Sequence, residues 1–192
     1  MSTFNSAALA ANLASYPLQT LSSAESAGLS FMRDEERLAQ AVYTASAARW
    51  PALPSFNNIA ASEATHTAAI KSLLDRYQIA DPAAGLALSS FAPAVFQTLY
   101  ANLTAASNAS QIDALKVGVQ IEELDIRDIT QQQAAIDNPD ILTVYGNLLR
   151  GSRNHLRAFV KVLAQQGGTY VPRYLSQAEF DAIVSTPLET GG

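Results

Sequence analysis

The clearest chemical signal in this 192-residue chain is a carboxylate close to one of its only two histidines. Glu63 and His66 are three residues apart, so on a helix they share one face. That face continues through Phe56, Ile59 and Ile70, which would point into a core. Burying an unpaired charge is costly, and a metal ion would remove that cost. The spacing therefore predicts a buried metal site.

Each of the other long helical stretches also places a candidate ligand on its apolar stripe. Glu36 is the acidic member of the first stripe, and His155 is the imidazole of the last. Glu122 and Asp125 share one face of the third stretch, again three residues apart. The full set of predicted metal ligands is Glu36, Glu63, His66, Glu122, Asp125 and His155.

Each candidate also has an ordinary structural alternative when it is taken alone. A single core histidine such as His155 is more often hydrogen-bonded than metal-bound. Glu36 lies in the charge run 33–37, such runs usually form a solvated face, and the acids of the third stretch have the same alternative. Glu63 and His66 could form a buried hydrogen-bonded pair. Taken jointly, acids or imidazoles on the inward stripes of all four helices favour metal binding.

The charges of these side chains indicate how many ions the site would hold. Four carboxylates carry four negative charges and two neutral imidazoles carry none, so two divalent cations would balance the set. Carboxylate and imidazole ligands suit iron or manganese, and imidazole also suits zinc. Without metal, the carboxylates would repel one another and raise each other's pKa. The expected cofactor is a pair of divalent metal ions, with iron first and manganese or zinc as alternatives.

Helices must position these residues, and the pattern is helical nearly throughout. Long helices are predicted over residues 22–49, 56–79, 111–135 and 139–166, with shorter ones over 94–105 and 177–184. Serines can cap four of the helices, and a Gly-Gly pair at 167–168 would end the fourth long one. The predicted serine caps are Ser22, Ser55, Ser110 and Ser176.

The lengths of the links predict the topology. Short links make the first two long helices one antiparallel pair and the last two another. The link between the second and third is about 30 residues long, so it can return along the whole bundle and leave those two helices parallel. One long crossover is the ferritin-like topology. The predicted fold is an all-α, ferritin-like four-helix bundle over 21–186, after a flexible segment 1–20 and before a tail 187–192.

Composition restricts the classes of partner. No cluster of lysine and arginine occurs and the net charge is −5, which argues against nucleic acid, and no apolar run is long enough for a membrane span. Cysteine is absent, which removes disulfides and cysteine-ligated clusters. The first 20 residues lack the basic start of a secretory signal, so the compartment stays open between cytoplasmic and, with a signal removed, periplasmic. A homodimer is the default expectation for the assembly.

The order Glu36, Glu63-x-x-His66, Glu122 and His155 along four helices resembles the ferritin-like di-iron carboxylate superfamily, and within it rubrerythrin most. A closer resemblance is to an uncharacterised ferritin-like family, domain of unknown function 2202, over about residues 25–185. The segments that carry it are 32–39, 113–126, 149–159 and 174–176.

The superfamily resemblance implies a di-iron site that reacts with O2 or peroxide, as a ferroxidase or peroxidase type of oxidoreductase. Rubrerythrin's cysteine-ligated iron module cannot form here, so electrons would come from the substrate or from an external donor protein. The superfamily's fourth helix usually reads Glu-x-x-His, whereas Ser152 precedes His155 here, which would leave an asymmetric or single-metal site. The alternatives are a metal-binding or storage module without redox turnover, and a metal-free structural helical domain.

Overall fold

The computed structural model describes residues 6–190, and all regular secondary structure in that range is α-helical, which confirms the predicted all-α class. Four long helices form a bundle, and three shorter ones pack around it. The helices are α1 (Ser6–Ser15), α2 (Ser23–Arg49), α3 (Pro54–Arg76), α4 (Ala94–Ser107), α5 (Gln111–Gln133), α6 (Pro139–Gln165) and α7 (Gln177–Val184). Within the described residues, no helix is long and apolar enough to cross a membrane.

The long helices form two antiparallel pairs, α2 with α3 and α5 with α6. In each pair, residues near the end of one helix meet residues near the start of the next. The contacts that set these directions are Tyr43 with Phe56 and Arg33 with Thr67 in the first pair, and Gly118 with Phe159 and Gln132 with Tyr145 in the second.

The crossover between α3 and α5 makes these two helices parallel, as the link length predicted. Both run antiparallel to α6: at one end of α3, Phe56 meets Phe159, and at the other, Arg76 pairs with Asp140 at 2.8 Å. The crossover carries α4, which packs against α2 and α5. This single long connection is the one that ferritin-like bundles use.

Two buried arginines of α2 fix the path of the crossover. Nε and Nη2 of Arg33 donate to the carboxylate of Asp81 at 3.0 and 2.9 Å, and Nη2 of Arg37 donates to the carbonyl of Ala87 at 3.0 Å. The charge run 33–37 is therefore buried, and the solvated-face alternative for it is wrong. The guanidinium groups of Arg33 and Arg37 hold the crossover against α2, the helix that supplies Glu36.

Helix ends lie close to the predicted positions because local hydrogen bonds define them. The side chains of Ser22, Ser110 and Ser176 each accept from the backbone N–H three residues later, as expected of N-caps. At the end of α6, Gly167 adopts a φ of +75°, which glycine reaches without steric cost.

Glu25 joins the start of α2 to the link between α5 and α6. Its carboxylate accepts from the backbone N–H of Ser22 at 2.8 Å and from the side-chain amide of Asn138 at 2.8 Å. Burial raises the pKa of Glu25, but the bonds from Ser22 and Asn138 outweigh it and lower that pKa to about 2. The ionised form of Glu25 therefore stabilises this end of the bundle.

Two elements differ from the sequence pattern. The predicted cap Ser55 is wrong: α3 begins at Pro54, two residues before the predicted start, with Leu53 as N-cap, because the fixed φ of proline suits the first helical position. Helix α1 was not predicted within the segment 1–20. Its Leu9 and Leu13 are four residues apart and buried, and α1 packs against α3.

A polar belt divides the apolar core into two clusters. On one side, Tyr43, Phe56 and Phe159 pack with ring centroids 5.1–6.2 Å apart. On the other side, a second cluster contains Leu73 and Ile141. The candidate ligands lie between the two clusters, where little solvent can reach them.

Candidate metal centre

All four long helices supply a side chain to the belt, and five of the six predicted ligands come together there. Their nitrogen and oxygen atoms form two groups, in each of which one atom per residue lies within 4.8 Å of the others. Every residue in both groups is buried. The first group is Glu36, Glu63 and His66, and the second is Glu63, Glu122 and His155.

Glu63 belongs to both groups and lies between the two imidazoles. Its Oε1 is 2.6 Å from Nδ1 of His155, and its Oε2 is 2.9 Å from Nδ1 of His66. Neither oxygen of Glu63 has a hydrogen-bond partner among the described residues, despite these short separations. Two imidazole nitrogens thus converge on the two oxygens of one buried carboxylate, an arrangement that could also surround a cation.

The outer carboxylates complete the two groups. Nδ1 of His66 forms a hydrogen bond with Oε2 of Glu36 at 3.2 Å, and Nδ1 of His155 lies 3.5 Å from Oε2 of Glu122. The two imidazole rings stack with centroids 5.5 Å apart and planes inclined by 26°. Both rings thus direct Nδ1 toward the carboxylates.

Neighbouring hydroxyl groups orient one side of the centre. The hydroxyl of Tyr43 donates to Oε1 of Glu122 at 2.7 Å, which leaves Oε2 of that carboxylate for the group. Nε2 of His155 is 2.9 Å from Oγ of Ser62. A hydrogen bond at one ring nitrogen sets the tautomer and leaves the other nitrogen available to a metal.

Asp125, the sixth predicted ligand, lies outside both groups. It is 1% exposed, and neither carboxylate oxygen has a hydrogen-bond partner among the described residues. Ser152 is also buried, but its hydroxyl donates to the carbonyl of Leu148 at 3.2 Å and so turns toward its own helix. The side of the centre near His155 therefore has one carboxylate fewer than the Glu-x-x-His pattern would provide.

Burial and mutual contact shift the proton equilibria of the belt. Burial raises the pKa of Glu36 to about 8, although His66 lowers it. Burial also raises the pKa of Glu63, but His155 and His66 outweigh it and hold that pKa below its usual range. Burial lowers the pKa of His155, while Glu63 and Glu122 raise it to about 9. Positive charge in the belt is thus strongly favoured.

Gly151 provides the space that the ring of His66 occupies. A Cβ atom at this position would lie 2.5 Å from both Cε1 and Nε2 of that ring. Nothing in the sequence around Gly151 marks it as a site residue, because the contact depends on how closely α3 approaches α6. Ser62 was missed for the same reason, since its partner His155 is on another helix.

Glu123, the neighbour of Glu122, serves a different purpose. Its carboxylate accepts hydrogen bonds from the hydroxyl of Tyr170 and from the backbone N–H groups of Arg173 at 3.1 Å and Leu175 at 3.3 Å. The segment before α7 is thereby attached to the outer face of α5. Glu123 is buried because that distant segment covers it.

The fold and the site define an all-α helical bundle with a belt of buried carboxylates and imidazoles that could hold metal. The chain belongs to the family described as Uncharacterized protein domain (DUF2202), whose model matches residues 25–187. This confirms the family resemblance that the sequence segments indicated.

A relative of known sequence and structure covers nearly the whole chain. Uncharacterized protein MJ0754 of Methanocaldococcus jannaschii is 44% identical over 179 residues, which span 93% of this chain and 96% of that protein. The crystal structure of hypothetical protein MJ0754 from Methanococcus jannaschii DSM 2661 is similar with a TM-score of 0.89 at 44% identity. It covers 91% of this chain and 99% of that one.

Proposed function

We propose that the belt binds two divalent metal ions, with Glu63 shared between them. Glu36 and His66 would hold one ion, and Glu122 and His155 the other. The observation that carries this proposal is the position of Glu63, whose two oxygens face the two imidazoles without forming hydrogen bonds to described residues. A buried carboxylate in that state is costly unless a cation is present.

The donor set fits iron or manganese. Carboxylate oxygens and imidazole nitrogens are suitable ligands for both metals, and the absence of cysteine removes the thiolates that would select softer ions. Besides the oxygens of Glu63, buried oxygens of Glu36 and Glu122 lack a hydrogen-bond partner among the described residues. In a metal-free structural role, protonated imidazoles would have to balance these carboxylates, whereas a metal ion would engage their oxygens directly.

We further propose that the protein is an oxidoreductase of ferroxidase or peroxidase type. A pair of iron ions would supply electrons for the reduction of O2 or peroxide, and the rubrerythrin-like order of ligands supports this chemistry. The residues of the chain hold the carboxylates and imidazoles in place, with Tyr43 donating to Glu122 and Ser62 bonded to His155. The two apolar clusters keep bulk water away from the belt.

The test is aerobic oxidation of added Fe(II), together with elemental analysis of the purified protein. We expect about two metal ions per chain in the wild type and a large loss of both metal and oxidation rate in Glu63→Ala. Asp75→Ala removes an exposed acid from the same helix and should match the wild type. Equal oxidation rates in the wild type and Glu63→Ala would refute the redox proposal.

A metal-binding or storage module without redox turnover is the second candidate, and Ser152 favours it. Its hydroxyl is bonded to the carbonyl of Leu148, so the position that carries Glu in the Glu-x-x-His pattern supplies no carboxylate to either group. A zinc-filled protein with no visible absorption after exposure to oxygen would favour this candidate. A melting temperature that a chelator leaves unchanged would favour the metal-free structural domain.

A further inference from the structure

A groove at the surface is lined by Asp128, which lies six residues along α5 from Glu122 of the belt. It lies between the start of α2 and the end of α5 and has a volume of about 450 Å³. Its charged lining residues, Glu25 and Asp128, are both acidic. The carboxylate of Glu25 is engaged with Ser22 and Asn138, whereas Asp128 belongs to α5, the helix that carries Glu122 of the belt.

Two more carboxylates lie between Asp128 and the belt. Asp125 precedes Asp128 by three residues and shares its face of α5. Glu35 is buried on α2, which packs against α5, and it shares a hydrogen bond with the carboxyl of Asp128. Acids thus occur at three-residue intervals along α5, from Asp128 at the groove through Asp125 to Glu122 in the belt.

The inner members of this series lack the partners that buried carboxylates usually have. Asp125 is 1% exposed and Glu35 is 2% exposed. Both oxygens of Asp125 and Oε2 of Glu35 have no hydrogen-bond partner among the described residues. A fixed structural role would be expected to satisfy these atoms. Carboxylates held in this state at a groove of the same charge attract small hard cations.

We propose that Asp128, Glu35 and Asp125 form an acidic path by which divalent cations pass from the groove to the buried belt. The proposal rests on the metal binding inferred above and assigns a role to acids outside the two ligand groups. None of these three acids belongs to either ligand group, so the path is a series of single carboxylates and not an enclosed binding site. That arrangement suits transit, because an ion is attracted at each step without being enclosed.

The number of buried acids favours inward movement. With Glu35 included, five buried carboxyl groups face the four positive charges of two divalent ions, and each can release its proton when a cation binds. Arg127 offsets the charge of Asp128 at the groove, where its Nε donates to that carboxylate at 2.6 Å and its guanidinium lies 4.8 Å from the ring of Tyr174. The five carboxylates are those of Glu35, Glu36, Glu63, Glu122 and Asp125.

The experiment measures the rate of Co(II) uptake by chelator-treated protein, followed by visible absorption, and the final Co(II) content by elemental analysis. We expect Asp128→Asn to load about tenfold more slowly than the wild type and to reach the same content, since a focusing charge raises association rates by that order. Asp75→Asn removes one carboxylate from an exposed part of α3 and should load at the wild-type rate.

A second variant tests the path even if Asp128→Asn fails to fold. Gln131 is an exposed residue of the groove, so Gln131→Lys introduces a repelling charge without changing the interior. It should also slow uptake at constant final content. Wild-type rates of Co(II) uptake in both variants would refute the proposed path without contradicting the proposed metal centre. A lower final content in Asp128→Asn would make Asp128 a resident ligand and also overturn it. If the wild type takes up no Co(II), the metal centre fails as well.

Discussion

Replacing Gly151 by alanine should disturb one half of the candidate metal centre and leave the other half in place. The added Cβ would lie 2.5 Å from Cε1 and Nε2 of His66, whereas ordinary contacts between such atoms begin near 3.5 Å. The ring must therefore move by about 1 Å. Since Glu36 and Glu63 lie 3.2 and 2.9 Å from its Nδ1, that movement disrupts the first group of ligands.

The expected change in stability is a balance of two opposing effects. Alanine is better than glycine inside a helix by about 1 kcal/mol. Overpacking a buried site costs about 1–3 kcal/mol. The metal-free Gly151→Ala protein should thus unfold with a free energy between unchanged and about 2 kcal/mol lower. We expect His155 and Glu122 of the second group to keep their places, because the three atoms nearest the added Cβ all belong to His66.

Two glycine variants provide matched controls. Gly146 is on the same helix, and a Cβ there meets nothing within 4 Å, so Gly146→Ala should be stabilised by about 1 kcal/mol with full metal content. At Gly118 a Cβ would lie 2.9 Å from the ring of Phe159, so Gly118→Ala should lose stability through packing in the apolar cluster.

The assays are urea unfolding of the metal-free proteins and elemental analysis after reconstitution. Gly151→Ala should retain about one metal ion where the wild type and Gly146→Ala retain two. Two tightly bound ions in Gly151→Ala would refute the assignment of His66 as a ligand. Loss of both ions would show that the two halves cannot be separated.

Three other substitutions test the residues that support the site and the fold. Tyr43→Phe removes the donor to Glu122 and should lower the unfolding free energy by about 2 kcal/mol in urea titrations. Ser62→Ala removes the partner of Nε2 of His155 and should weaken Co(II) binding about tenfold in competition with a chelator. Glu25→Gln should be about 2 kcal/mol less stable than the wild type at pH 6. Because the pKa of Glu25 is lowered to about 2 by folding, this difference should shrink as the pH falls from about 4.5 toward 2 in acid unfolding.

Each of these substitutions has an outcome that would contradict its reasoning. Ser62→Thr keeps a hydroxyl group, so equal losses of affinity in Ser62→Thr and Ser62→Ala would count against a role in orienting His155. A difference between wild type and Glu25→Gln that persists at pH 2 would mean that the ionised carboxylate is not the source of stability. Unchanged unfolding of Tyr43→Phe would show that Glu122 finds another donor.

The helices and their order could be predicted because their signals are local. Caps such as Ser22 and Ser176 and the turn at Gly167 depend on a few neighbouring residues. The topology followed from link lengths, which limit how the chain can return. Five candidate ligands were found for a similar reason, since an acid or imidazole on an apolar stripe stands out within one helix.

The parts that the sequence missed, or in the case of Glu35 offered only as a second choice of ligand, depend on contacts between distant segments. Glu35 lies about 100° around α2 from Glu36, and helical spacing alone places it outside the stripe. It is buried because α5 covers that side of α2. The space at Gly151 and the bond from Ser62 arise where α6 meets α3, and no single-helix pattern reveals either.

The adjacent acids Glu122 and Glu123 also limit how α5 can rotate about its own axis. Glu122 is held on the inside by Tyr43, and Glu123 is held on the outside by the backbone of residues 173–175. Rotation in either direction would break hydrogen bonds on both sides of the helix at once. The segment before α7 therefore fixes the angular setting of Glu122, a candidate ligand about 100° around α5 from Glu123, and insertions in that segment would change this setting.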